Sequence, residues 1–279
     1  MKIISFVNMK GGVGKTTLAL NVADCLARVH DKKVAVLDVD PQFNATQCLF
    51  RPERYVEILR QGGDTILDVF ETDNQLLTSV VSGAAMVEPK DISKIELQQT
   101  DKLWTLPGNI ELYRLEMVAG EGREFSLKRF IDNVISKKSF DYVIIDTPPT
   151  PSIWMTSALI ASNYYVIPVR PDPLSMIGID LLRSIIERRR KTYGLSLECL
   201  GVVFTMVDRP DSISLSNAIR NLRANNFWKD KVFKSFILKR ADLARQQLNQ
   251  PFILKMDDYD LRRSLNRLVK DILEKINVD

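Results

Sequence analysis

The sequence predicts an α/β protein in which a doubly wound, mostly parallel sheet carries helices on both faces. A strand, a glycine-rich turn, a helix-length segment and a second strand follow one another near residue 1, which indicates a βαβ unit. Later strands are almost uniformly apolar, as in sheets that are buried on both faces. With 45% apolar and 27% charged residues in 279, the chain is typical of globular proteins and can bury a large core.

The elements are predicted in chain order from the spacing of apolar residues. Residues 2–8 form an apolar, β-rich run, and apolar residues then recur at helical spacing from Leu18 to Ala27. Further strands are expected at residues 33–38, 142–145, 165–169 and 200–204. Because no repeat or low-complexity linker divides the chain, residues 1–279 are interpreted as one domain.

Charge is distributed unevenly, although the net charge is only +4. Residues 51–103 are acidic in their later part and are interpreted as an insertion that contacts an adaptor or, equally, as an ornamented surface. Basic residues cluster at 188–191 and 209–240. Residues 257–277 predict a C-terminal helix with an apolar stripe that suits packing onto the domain: Leu261, Leu265, Leu268 and Ile272.

The few cysteines and the single histidine exclude several classes of chemistry. Cys25, Cys48 and Cys199 are scattered and lack the spacing of a disulfide framework or a zinc site. His30 lies in a polar turn at a predicted helix end, which argues against histidine-based catalysis. No apolar run approaches the ~20 residues of a membrane-spanning helix, and residues 1–7 are too short for a signal peptide. We therefore expect a cytoplasmic protein.

The turn after the first strand has the architecture of a phosphate-binding loop. Gly11, Gly12 and Gly14 allow a phosphate to approach the backbone N–H groups around Val13 at the start of a helix. Lys15 would supply charge to the β- and γ-phosphates of a nucleotide, and Thr16, followed by Thr17, would offer its hydroxyl to Mg²⁺. The usual pattern GxxxxGK[ST] requires glycine at position 9, but this chain has Met9 and an additional lysine, Lys10.

The loop variant KGGxGKTT resembles the deviant Walker A motif of the ParA/MinD family of dimerising P-loop ATPases. Residues 38–46 resemble the family's switch segment DxDPQxN, and residues 140–149 resemble its Walker B strand. Residues 106–112, 167–178 and 239–245 also fit the ParA type, so the resemblance runs from Met1 to about Leu254.

The resemblance and the chemistry of phosphoryl transfer together suggest roles for individual residues. Asp146, at the end of a predicted strand, would hold Mg²⁺ through a water, and Asp38 would support the metal. Asp40 follows the second strand, which we expect beside the strand of the phosphate loop, and would orient the attacking water. In the family, the lysine that corresponds to Lys10 reaches across a nucleotide sandwich dimer to the partner's phosphates. Base recognition is less clear: Met206 and Asp208 are candidates, and the resemblance places residues 236–241 around the adenine.

Three functions are compatible with this ATP site. The first is a DNA-partition ATPase that dimerises on ATP, binds DNA nonspecifically, associates with the nucleoid, and is slow until a centromere-binding adaptor stimulates it. The candidate DNA ligands are Arg188, Arg189, Arg190, Lys191, Arg220, Arg223 and Lys234. The second is a MinD-like ATPase that positions a protein or membrane complex, although the C-terminal helix lacks bulky aromatic anchors and no stable membrane association is expected. The third, an iron–sulfur carrier, would need cysteine ligands that are not evident here.

Two departures from the family pattern affect these expectations. The chain starts directly with the first strand, so we expect a small form without the N-terminal helix-turn-helix of larger ParA proteins. Phe43 replaces the small residue that is usual in DPQGN, and it is expected to alter the switch segment or a partner surface.

Overall fold

The computed structural model describes residues 1–71, 91–117, 120, 122–241, 243 and 252–277. Within these residues one sheet has the strand order β3-β4-β2-β5-β1-β6-β7. The strands are β1 (Lys2–Phe6), β2 (Val34–Asp38), β3 (Gln98–Thr100), β4 (Leu103–Leu106), β5 (Tyr142–Asp146), β6 (Tyr164–Val169) and β7 (Glu198–Phe204).

The sheet is parallel except for β3, which pairs antiparallel with β4 at one edge. The apolar pattern located the five other strands to within two residues at most boundaries but did not predict β3 or β4. The residues of β3 are Gln98, Gln99 and Thr100, which are only partly buried and carry no apolar signal.

The strand order corrects one expectation from the sequence. β2 does not lie next to β1, because β5 lies between them and pairs with both. The crossover through the first helix therefore skips one strand position. Asp38 and Asp146 end up side by side in register on β2 and β5, respectively.

The helices of the described residues vary from five to twenty-one residues in length. They are α1 (Lys15–Arg28), α2 (Asn44–Leu49), α3 (Pro52–Arg60), α4 (Ile66–Glu71), α5 (Leu112–Glu116), α6 (Ser126–Asn133), α7 (Ile153–Ala161), α8 (Pro173–Tyr193), α9 (Ile213–Ala224) and α10 (Tyr259–Asn277). Short 3₁₀ turns occupy Ile92–Lys94, Arg123–Phe125, Ile135–Lys138 and Ile253–Lys255.

Alternate residues of the central strands feed two separate cores, which confirms the doubly wound fold. On β2, Val34 and Val36 belong to the core that includes α1 and α10. Ala35 and Leu37 belong to the core that includes α4, α5 and α6. Since successive side chains of a strand point to opposite faces, helices cover both faces of the sheet.

The C-terminal helix α10 packs its apolar stripe against α1. Leu261, Leu265, Leu268 and Ile272 are fully buried. The helix begins at Tyr259 rather than at residue 257, and the Leu261 N–H donates to the Asp258 carboxylate at 2.9 Å near its start. None of the described helices has the length and apolarity needed to cross a membrane.

Part of the acidic region belongs to the core. Ile66, Val69 and Phe70 of α4, together with Ile95 and Leu97, are buried in the second core. These described parts are therefore integral to the fold rather than an ornament on it. Residues 72–90 of the expected insertion lie outside the described residues, as does most of the motif at 242–245.

Candidate nucleotide site

The phosphate loop joins β1 to α1 and depends on two glycines in the left-handed region. Gly12 has φ +69° and Gly14 has φ +76°, where a side chain would be strained. Gly14 is the N-cap residue of α1 and has no side chain, so it provides no side-chain hydrogen-bond acceptor to the first N–H groups of this helix. This is the backbone arrangement that binds anionic phosphate groups.

A cavity of about 280 Å³ opens in front of this loop. It is lined by Gly11, Gly12, Gly14, Lys15, Thr16, Thr17, Asp40, Gln42, Asn44, Gln47, Cys48, Pro149 and Met206. The lining comes from the loop, from the segment after β2, from the segment after β5 and from the end of β7. All four lie at the carboxyl edge of the parallel strands, where α/β sheets bind ligands.

Lys15 lies between two acidic groups at the base of the cavity. Its side chain is largely buried, and this burial lowers its pKa. The Asp146 and Asp40 carboxylates act in the opposite direction and favour the charged ammonium. Lys15 is therefore held close to both carboxylates by the fold alone.

Asp146 is fully buried next to Lys15, and neither of its carboxylate oxygens has a hydrogen-bond partner among the described residues. Burial and the nearby Asp40 raise its pKa to about 7, while the Thr16 hydroxyl and Lys15 lie near enough to oppose part of the shift. A buried carboxylate without partners is costly unless a cation or water compensates it. With the Thr16 hydroxyl beside it, Asp146 fits the oxygen donors that Mg²⁺ takes together with waters.

Asp40 is 4% exposed and lines the cavity, near enough to Lys15 for the two charges to interact. Its Oδ1 accepts a hydrogen bond of 2.9 Å from the Gln42 N–H. Burial raises its pKa, and this bond and Lys15 lower it. The shift makes Asp40 a better proton acceptor than an exposed carboxylate, which the sequence did not indicate.

Asp38, like Asp146, is fully buried and is not among the residues that line the cavity. Its Oδ2 accepts hydrogen bonds from the Thr46 N–H at 2.8 Å and the Thr46 hydroxyl at 2.7 Å. Burial and Asp146 raise the pKa of Asp38 well above its ordinary value. The structure thus shows Asp38 fixing α2 to the end of β2.

Lys10 is turned away from its own cavity. Its Nζ forms an ion pair of 2.9 Å with Asp172 and donates to the Ser175 hydroxyl at 3.0 Å. Asp172 also caps α8 by accepting from the Ser175 N–H. Lys10 is therefore attached to the start of α8 in the single chain.

Of the two residues predicted to contact the base, Met206 and Asp208, only Met206 lines the cavity. Met206 has φ +53° and lines the cavity, where its Cε approaches the Gly14 position. Asp208 has a highly exposed side chain that pairs with Lys239 at 3.4 Å, and it is not part of the lining. Val13 is fully buried, and its carbonyl accepts from the Thr205 hydroxyl.

Sequence reasoning missed several residues of the lining. Gln42 and Asn44 are polar residues of the quoted switch motif, so their position after Asp40 was an available signal. Gln47 and Cys48 lie one turn further along α2, and Pro149 ends the Walker B segment. Burial, with Asp146 and Asp38 nearby, raises the pKa of the Cys48 thiol to about 12, which keeps it protonated at neutral pH.

The predicted basic residues are exposed apart from Arg189, which is partly buried. The exposed ones are Arg188, Arg190, Lys191, Arg220, Arg223 and Lys234. The Arg220 guanidinium donates to the Asn217 side chain at 2.8 Å. Arg189 donates to the Pro151 carbonyl at 2.9 Å and Arg190 lies 3.5 Å from the Glu187 carboxylate.

The fold and the loop at the start of α1 define a nucleotide-binding protein of the P-loop class. A family model described as an AAA domain, AAA_31, matches residues 1–199. The sporulation initiation inhibitor protein Soj of Bacillus subtilis is 30% identical over 278 residues, covering 99% of this chain and 98% of Soj. The chromosome-partitioning ATPase Soj of Treponema pallidum is 27% identical and covers 98% of each chain. The chain belongs to this family, the ParA-type partition ATPases.

Solved structures show the same fold at lower identity. The ATP complex of a Cyanothece McdA variant has a TM-score of 0.76 and 22% identity, covering 99% of this chain and 96% of that one. A plasmid partition protein from Borrelia burgdorferi has a TM-score of 0.71 and 21% identity, covering 98% of each chain.

Proposed function

We propose that this protein is a Mg·ATP-dependent ATPase that dimerises on ATP binding, binds DNA without sequence preference and drives plasmid or chromosome partition. The observation that carries the proposal is the convergence at one cavity of Lys15, Thr16 and Asp40, with Asp146 buried beside Lys15. These groups come from three separate segments of the chain. Phosphoryl transfer requires this kind of positioning and charge neutralisation.

Each group has a defined task in the hydrolysis of ATP. The N–H groups at the start of α1 and the Lys15 ammonium bind the phosphates, and Asp40 orients the attacking water. Thr16 and Asp146 would hold Mg²⁺, which neutralises charge on the phosphates when bound. The unpartnered oxygens of Asp146 support this assignment.

Lys10 couples ATP binding to dimerisation. Lys15 already serves the phosphates of its own subunit, and Lys10 is paired with Asp172 on the outside of the loop. From that position Lys10 is available to the phosphates of a second subunit once the Asp172 pair is exchanged. Charge supplied in trans makes dimerisation and ATP binding one linked equilibrium.

A basic surface on α8 and α9 is the proposed contact with DNA phosphates. The Trp228 indole donates to Asp180 of α8 at 2.8 Å, and the Arg183 guanidinium lies 3.7 Å from the centre of the Phe227 ring. These contacts join α8 to the turn after α9, and the exposed Arg188, Lys191, Arg220 and Arg223 lie on these two helices. A dimer would present two such surfaces and bind DNA more tightly through avidity.

The relatives named as chromosome-partitioning proteins support the biological role. Hydrolysis would be slow alone and stimulated by a centromere-binding adaptor, and the protein would be cytoplasmic and associated with the nucleoid. A MinD-like positioning role is the alternative, but the apolar stripe of α10 is buried against α1, which leaves it unavailable as a membrane anchor.

DNA binding tests the proposal most directly. We would measure binding to nonspecific duplex with ATP, ADP and no nucleotide across a salt series. The R220A/R223A variant is compared with K102A/K137A, which removes the same charge from exposed positions elsewhere. We expect ATP-dependent binding that weakens about 10-fold in R220A/R223A and is unchanged in the control, with a shallower salt dependence in the first variant.

Two results would count against the proposal. Absence of DNA binding with intact ATP hydrolysis would favour the positioning role, and liposome binding would then be measured. Equal losses in both double variants would show that the surface on α8 and α9 is not the DNA contact.

A further inference from the structure

Phe43 adopts a backbone conformation that is unfavourable for an aromatic residue. It precedes α2 with φ +43° and ψ +40°, in the left-handed region. Glycine adopts this conformation readily, and asparagine and aspartate do so occasionally. Other residues rarely adopt it, because their Cβ crowds the following carbonyl. Such a conformation persists when surrounding contacts determine it.

The compensating contact is a stack between Phe43 and Tyr55 of α3. The two ring centroids are 5.5 Å apart and the rings are inclined by 21°. Both side chains are half-buried. Aromatic pairs at this separation attract one another beyond the area that they bury, so the stack offsets the unfavourable backbone of Phe43.

Tyr55 is itself fixed to the loop after β4. Its hydroxyl donates to the Gly108 carbonyl at 2.8 Å, and burial raises its pKa to about 12, so the hydroxyl remains a donor. The Gly108 N–H donates to the Thr46 hydroxyl at 2.6 Å. A Cβ on Gly108 would lie 2.7 Å from the Phe43 Cβ, which shows how closely this loop encloses Phe43.

Phe43 is linked directly to Asp40 through the turn that precedes α2. The Phe43 N–H donates to the Asp40 carbonyl at 2.7 Å, and the Gln42 N–H donates to the Asp40 carboxylate at 2.9 Å. A change in the backbone of Phe43 would therefore move the turn that orients this carboxylate.

We propose that Phe43 and Tyr55 are positioning residues that hold the segment 40–44 in the conformation that places Asp40 at the cavity. This inference rests on the proposed ATPase function and deepens it. Since neither ring lines the cavity, the pair sets the turnover of bound ATP and leaves ATP affinity nearly unchanged. Misplacement of a reacting group by about 1 Å is enough to cost up to ~100-fold in rate.

The test separates turnover from affinity in three variants. Kd for ATP is measured with a fluorescent ATP analogue, and kcat is measured under saturating Mg·ATP. In Tyr55→Ala we expect kcat to fall about 10-fold and Kd to change less than about 3-fold, because the stack is lost but the cavity lining is intact. Tyr55→Phe keeps the ring and should retain most of the turnover. Val56→Ala changes an exposed residue of the same helix and should have the kcat and Kd of the wild type.

Phe43→Gly provides a variant that folds without the unfavourable backbone, because glycine tolerates positive φ. Because glycine needs no stack to hold this conformation, Phe43→Gly should retain turnover and ATP affinity. Phe43→Ala, which keeps a Cβ at positive φ but lacks the ring, should lose turnover as Tyr55→Ala does. Wild-type kcat in Tyr55→Ala or Phe43→Ala, or a parallel loss of affinity and turnover in these two variants, would overturn the inference. A wild-type protein that binds no ATP would instead overturn the proposed function itself.

Discussion

The ends of β2 and β5 carry the same residue in the same register but in different surroundings. Asp38 and Asp146 are paired across the two strands, and both are fully buried. Asp38 accepts two hydrogen bonds from Thr46, whereas the Asp146 oxygens have no partner among the described residues. Neither sequence position nor burial distinguishes the two, so the neighbouring element decides what each carboxylate does.

The physical difference lies in how each desolvated carboxylate is compensated. At Asp38, the N–H and hydroxyl of Thr46 on α2 replace the lost water. At Asp146, the nearby groups are Lys15 and Thr16 of the phosphate loop, and both of these residues line the cavity. Asp38 is hydrogen-bonded within the fold, whereas Asp146 is the residue that we propose for the metal site; the supporting role of Asp38 stays a prediction.

The largest expected effect is on catalysis by Asp146→Asn. We expect Mg²⁺-dependent ATP hydrolysis to fall by about 100-fold or more, because the anionic oxygen at the proposed metal site is removed. Steady-state hydrolysis across a Mg²⁺ titration measures this, and circular dichroism checks folding. Normal hydrolysis in a folded Asp146→Asn protein would remove Asp146 from the metal site.

The second effect is on the pH dependence of stability without nucleotide. Folded Asp146 retains its proton up to about pH 7, whereas the unfolded chain releases it near the ordinary value of 3.8. Since the folded state binds more protons in this range, the contribution of Asp146 to stability falls as the pH rises from about 4 to 7 and is level above that.

Urea unfolding of the wild type and Asp146→Asn at pH 5 and pH 8 measures this contribution together with the change at Asp38, whose pKa the Asp146 charge raises. From pH 5 to pH 8, the free energy of unfolding of the variant should rise by roughly 1–4 kcal/mol relative to that of the wild type, since asparagine does not ionise. The same difference at both pH values would contradict the raised pKa of Asp146.

The smallest effect on hydrolysis is expected for Thr46→Val, which tests the hydrogen bonds to Asp38. Valine keeps the shape but removes the hydroxyl between Asp38 and Gly108, which should lower the free energy of unfolding by about 1–3 kcal/mol. Thr46→Ser keeps the hydroxyl and is the matched control. Hydrolysis by Thr46→Val should fall less than about 10-fold at temperatures where it is folded, because Thr46 does not line the cavity and Lys15, Thr16, Asp40 and Asp146 are unchanged.

A reversed pattern would contradict the comparison. If Thr46→Val abolished Mg²⁺-dependent hydrolysis and Asp146→Asn preserved it, the structural and metal roles assigned to Asp38 and Asp146 would have to be exchanged.

The α/β class and the phosphate loop could be predicted from consecutive residues of the chain. Buried strands such as β5 are uninterrupted apolar runs, and Gly12, Gly14 and Lys15 form a contiguous motif. Both signals are properties of consecutive residues, since backbone freedom and apolar spacing are local. The edge strand β3 was missed because its pairing depends on β4 rather than on its own composition.

The strand order and the partners of the buried groups could not be predicted from the chain and became evident from the packing of the folded protein. The placement of β5 between β1 and β2 brings Asp146 beside Asp38. The position of α2 brings the Thr46 hydroxyl within hydrogen-bond distance of the Asp38 carboxylate. The Phe43–Tyr55 stack and the attachment of Lys10 to Asp172 likewise join residues that are distant along the chain or on separate elements. Such contacts depend on how elements pack in space, and spacing along the chain carries no record of that packing.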